Sequence, residues 1–105
     1  MRKLLVVLAV AALAVTAFAV VPAQSATRGV SVRDNLFTPK SLTVSKGTTV
    51  KWTWRGHASH NVTSSQFKPS TTKRTGVYSI RFNRKGTFRY RCTIHPGMTG
   101  TIRVK

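Results

Sequence analysis

Residues 86–98 read Gly-Thr-Phe-Arg-Tyr-Arg-Cys-Thr-Ile-His-Pro-Gly-Met (GTFRYRCTIHPGM). Successive side chains of an extended strand point to opposite faces, so Phe88, Tyr90 and Cys92 share one face while Arg89 and Arg91 share the other. The first face suits a core and the second suits solvent. The strand ends in the only cysteine of the chain. A histidine follows three residues later and a methionine three after that. Strand periodicity therefore runs directly into a loop that carries three soft or borderline metal donors.

The same period of two continues outward from this stretch. Val30 and Val32 alternate with polar neighbours, as do Leu42 and Val44 before the Lys46-Gly47 turn signal. Val50, Trp52 and Trp54 fall on one face, with Lys51, Thr53 and Arg55 on the other. Residues 64–76 (SSQFKPSTTKRTG) read as a polar loop. Tyr78, Ile80 and Phe82 alternate next, and Asn83-Arg84-Lys85-Gly86 makes a turn. Ile102 and Val104 close the pattern. No stretch after Ala26 has helical periodicity. About seven short strands with turns between them predict an all-β antiparallel sandwich or barrel, with the aromatic and aliphatic faces as one core.

The N-terminus has another composition. Met1-Arg2-Lys3 is a basic start, Leu4 to Val21 is almost entirely Leu, Val and Ala, and Pro22-Ala23-Gln24-Ser25-Ala26 supplies small residues. This is the layout of a secretory signal peptide over residues 1–25, with the preferred cut after Ser25 and Ala23 at the −3 position. An uncleaved anchor is the alternative, because the apolar run approaches the length of a membrane span. Residues 26–105 then form one domain of about 80 residues, small enough to need a staple beyond its own core. A single cysteine cannot close a disulfide within the chain. An odd cysteine in an exported protein points to an intermolecular bridge, a reactive thiol or a metal ligand, and a bound metal would serve as the staple.

Charge excludes further classes. The chain has 18 Lys and Arg against one acidic side chain, Asp34, for a formal net charge of +17. Paired-carboxylate acid–base catalysis needs two such groups and is ruled out within the chain. The excess predicts anionic partners: an acidic protein, or a membrane or cell-wall surface. The stretch 77–91 (VYSIRFNRKGTFRYR) interleaves aromatic and basic residues as single-strand nucleic-acid platforms do, but the export signal argues against nucleic acid.

Cys92, His95 and Met98 share one short loop, and a second cluster, His57-Ala58-Ser59-His60-Asn61-Val62, follows the tryptophan strand. Two imidazoles, a thiolate and a weak axial thioether form the ligand set of a type 1 (blue) copper site. Over the whole of residues 26–105 the chain resembles the cupredoxins, above all their plastocyanin and amicyanin branch. The resemblance is carried by Asn35-Leu36-Phe37-Thr38-Pro39, Leu42-Thr43-Val44, Lys46-Gly47-Thr48-Thr49-Val50-Lys51-Trp52, His60-Asn61-Val62, and Gly86-Thr87-Phe88 through Cys92-Thr93-Ile94-His95-Pro96-Gly97-Met98. It implies a Greek-key antiparallel β-sandwich binding one copper per chain. His60, Cys92 and His95 would be the equatorial ligands and Met98 the axial one. Asn61 and Thr93 match positions that tie the two ligand loops together in the family. The tight Cys-x-x-His-x-x-Met spacing is similar to that of amicyanin. Ile94 stands where the family usually has proline, the span from His60 to Cys92 is short for a plastocyanin, and Gly97 is a less apolar neighbour for His95.

The resemblance implies an exported one-electron carrier, a monomer and not an enzyme, located in the periplasm, outside the cell or on the outer face of a membrane. The three histidines of the chain are too few for the additional histidine-rich copper sites of related oxidases and reductases. Steering by the basic surface would bring it to an acidic redox partner. Two other readings remain: a copper-handling protein with no electron-transfer role, and a metal-free basic β-domain that binds an anionic surface. His57 reads as a solvent-facing loop residue, and Trp52 and Trp54 as core.

Overall fold

The computed structural model describes residues 26–105. The leader expected over 1–25 and its cleavage point lie outside the described residues. Seven strands follow in order: β1 (Thr27–Arg33), β2 (Leu36–Thr38), β3 (Ser41–Val44), β4 (Thr48–Trp54), β5 (Val77–Phe82), β6 (Gly86–Arg91) and β7 (Thr99–Val104). They form two sheets, ordered β2-β1-β4-β5 and β3-β7-β6. Alternation decides what turns inward. Val30 and Val32 from β1, Val50, Trp52 and Trp54 from β4, Phe88 and Tyr90 from β6, and Ile102 and Val104 from β7 are all buried in one cluster between the sheets. Burying one such side chain fully stabilises the fold by roughly 1.5–3 kcal/mol, so the inward faces and not the basic exterior hold the sandwich together.

Pairing is antiparallel for β1–β2, β4–β5 and β6–β7, while β1–β4 and β3–β7 run parallel. Parallel neighbours need a crossover. The chain provides it by passing through β2 and β3, which lie in opposite sheets, between β1 and β4. Strand β2 is too short, at three residues, to show a period in the sequence, and only its central Phe37 is buried. Phe37 packs edge-on to Tyr90, with ring centroids 4.7 Å apart.

The segment read as a polar loop contributes to the core. Phe67 stacks on Trp52 at 5.8 Å and meets Phe82 edge-on at 5.4 Å. Beside it, residues 63–66 line the free edge of β6. Thr63 and Arg91 exchange two backbone hydrogen bonds, and the Gln66 side-chain amide donates to Thr87 O and accepts from Arg89 N. This lateral docking brings the loop after β4 against the loop after β6. The candidate site lies where those two loops meet.

Candidate metal centre

Strand β6 delivers Cys92 to the core side, where it is 3 % exposed. The chain then reverses. The Met98 N–H donates to His95 O at 3.2 Å, closing a four-residue turn with Pro96 and Gly97 at its centre. Gly97 has φ +83°, the left-handed value that the third position of a type II turn requires, after proline at the second. A further bond from Cys92 N to Met98 O, 2.9 Å, ties the two ends of the loop together. Met98 is thereby buried to 1 % exposure, while His95 is half-buried at the rim.

His60 arrives from the loop after β4 and is fully buried. Its backbone exchanges two hydrogen bonds with Lys73, both 3.0 Å. The Trp54 indole N–H donates to the His60 carbonyl at 3.1 Å, so this tryptophan belongs to the core and also braces the site. Lys73 Nζ lies 4.8 Å from the Trp54 ring centre.

Three donor atoms converge. His60 Nδ1 and His95 Nδ1 are 3.2 Å apart, Cys92 Sγ is 3.5 Å from His95 Nδ1, and Cys92 Sγ is 4.0 Å from His60 Nδ1. An ion with bonds of about 2.0–2.3 Å to nitrogen and sulfur has donors separated by similar distances. Two nitrogens, one sulfur and a neighbouring thioether residue, with no carboxylate among them, suit copper. His60, Cys92 and His95 form the one group of three potential metal-binding side chains found among the described residues. His57 is not part of it. That residue is exposed, and its backbone carbonyl accepts from the Arg74 guanidinium.

Asn61 and Thr93 join the two loops. Asn61 Nδ2 donates to Thr93 Oγ1 at 2.8 Å and to Thr72 Oγ1 at 2.9 Å. Asn61 Oδ1 accepts from Thr93 N at 3.0 Å and from Thr63 Oγ1 at 2.8 Å. The position of a ligand thus depends on contacts behind it as well as on its own strand.

Sequence reasoning assigned no site role to Asp34, yet its Oδ1 lies 2.9 Å from His60 Nε2. The same carboxylate accepts the backbone N–H groups of His57 and Ala58. The hydrogen bond with His60, helped by those of Ala58 and His57, holds its carboxyl well below the usual carboxylate range. The one available signal was compositional: a single acid among 18 basic residues.

Comparison with known proteins agrees with this chemistry. Residues 25–105 match the model of the copper binding proteins of the plastocyanin/azurin family. No curated protein matches the chain. Among solved structures, the chain is similar in fold to a purple cupredoxin from Nitrosopumilus maritimus, at TM-score 0.70 and 24 % identity over 74 % of this chain and 99 % of that one. It is also similar to an oxidised amicyanin with a methionine-to-leucine substitution, at TM-score 0.69 and 27 % identity over 74 % of this chain and 81 % of that one. A reduced amicyanin with a proline-to-phenylalanine substitution gives TM-score 0.67 and 30 % identity, covering 75 % of this chain and 82 % of that one.

Proposed function

The chain belongs to the plastocyanin/azurin family of copper-binding proteins, and from that premise we propose that it is an exported one-electron carrier, without an enzymatic reaction of its own. His60, Cys92, His95 and Met98 would hold the ion. Bound copper supplies a one-electron couple. The chain supplies the rest. It fixes soft and borderline donors in a compromise between the preferences of two oxidation states, so that little rearrangement accompanies the change in charge. Burial of His60, Cys92 and Met98 keeps water away, and half-exposed His95 is the edge through which electrons pass.

Support comes above all from the convergence of two imidazole nitrogens and one thiol sulfur within 3.2–4.0 Å. Ile94, 49 % exposed beside His95, gives the rim an apolar contact. The excess of lysine and arginine over acid favours an acidic redox protein as partner, met by a monomer. An anionic membrane or wall surface would be an additional contact. The leader pattern of residues 1–25 supports a site of action outside the cytoplasm.

Titration of the domain with Cu(II), beside Cys92→Ala, tests the reading through the visible spectrum. The expected result is an intense blue thiolate-to-copper band at one copper per chain, bleached reversibly by a reductant and missing in the variant. A colourless protein that binds copper without a reversible couple would overturn the carrier role in favour of copper handling. Equal binding of an anionic surface by metal-free Cys92→Ala, with no copper uptake by the parent, would leave the basic β-domain reading.

A further inference from the structure

We infer that Asp34 is the positioning residue of the metal centre: its carboxylate fixes the tautomer and orientation of His60 and biases the centre toward the more highly charged state of the bound ion. This rests on the reading of His60 as a ligand. A neutral imidazole has one N–H and one lone pair. His60 Nδ1 faces the Cys92 and His95 donors, whereas Nε2 faces Asp34 Oδ1 at 2.9 Å. The other neighbours of that carboxylate are N–H donors: His57 N at 3.0 Å from both oxygens and Ala58 N at 2.9 Å. An oxygen surrounded in this way accepts the Nε2–H, which leaves the Nδ1 lone pair directed at the metal position. A carboxylate behind a ligating imidazole also raises its basicity, and the added negative charge favours Cu(II) over Cu(I).

The geometry is built from both sides. Asp34 and Asn35 form the whole connection between β1 and β2, with Asn35 at φ 67°, a left-handed value that asparagine tolerates. Across from it, Gly56 leaves the space that the carboxylate occupies: a Cβ there would overlap Asp34 Oδ1, its carboxyl carbon and its backbone nitrogen. A general need for negative charge would be met by an acid anywhere on so basic a molecule. The single one present instead lies behind a buried histidine, on the side opposite the donor cluster. Because 38 % of its side chain stays exposed, solvent screens it, and the effect belongs at the lower end of the 10–100-fold range for such outer contacts.

The test compares the parent with Asp34→Asn, which keeps the shape and an acceptor for the loop N–H groups but removes the charge. Cu(II) affinity is expected to fall about tenfold with Cu(I) affinity little changed, so the reduction potential rises by about 59 mV, the one-electron equivalent of tenfold. Gly56→Ala, which displaces the carboxylate without deleting it, should move the potential in the same direction. Nitrogen NMR of the metal-free parent should find His60 protonated at Nε2 and bare at Nδ1. An Nδ1–H tautomer there, or an unmoved potential in a folded variant whose carboxylate is removed or displaced, overturns the inference. A parent protein with no blue band instead overturns the carrier reading, so the two failures are distinguishable.

Discussion

Asn61 uses its whole side chain to hold the two ligand loops in register, with two donors and one doubly accepting oxygen all engaged. Asn61→Ala would leave the Thr93 N–H without its partner. Thr93 is exposed, so water can take the vacated place, and the loss is that of a net hydrogen bond, about 0.5–1.5 kcal/mol. The expected outcome is an unfolding free energy lower by that amount for the metal-free protein, read from a denaturant midpoint that falls at unchanged slope, with a broadened copper band in the loaded one. The donor cluster was legible as a set and not residue by residue: Cys92, His95 and Met98 at short spacing, with His60-Asn61-Val62 after an aromatic strand, point together to one ion, whereas each alone reads as an ordinary core or loop residue. Asp34 was not. Its partner lies 26 positions away, and no local pattern encodes a contact made by folding a β-turn onto a distant loop.

Among the elements, those with strong alternation could be read directly. Strands β4 and β6 show inward aromatic residues against outward basic or polar ones, and the structure buries that inward face. Strand β2 was not legible, since a three-residue strand has no period to detect. The segment 64–76 is a loop as its composition predicts, lying between β4 and β5, but the role of Phe67 in it was hidden. Its composition is polar, but one aromatic residue among polar neighbours is enough to cap a core. Phe67→Ala removes a ring that contacts Trp52 and Phe82. Because Phe67 is half-buried, the expected loss is roughly 2–3 kcal/mol, below the range for a fully buried phenylalanine. Urea unfolding measures it, with the slope unchanged if only stability has altered. The two parallel pairings were also invisible to periodicity, which reports the face of a residue and not the direction of its neighbour.

At the scale of the whole molecule, composition gave the sign of the surface charge but not where the one negative side chain would lie. It lies against the protein's own ligand loop, held by His57, Ala58 and His60. Two copies that meet therefore repel through the net charge that each carries, and the one acidic side chain of each, partly exposed, is already engaged by its own loop. Electron self-exchange between oxidised and reduced copies should be slow in dilute buffer and should quicken as added salt screens the repulsion. Exchange with an acidic partner should slow over the same range, as screening removes the steering. Line broadening in mixtures of the two redox forms measures the first rate, and stopped-flow mixing with an acidic partner measures the second. On the proposed carrier role, a molecule arranged in this way would be insulated from its own population: an electron loaded onto one copy would be kept for a partner of opposite charge and not scattered among its equals.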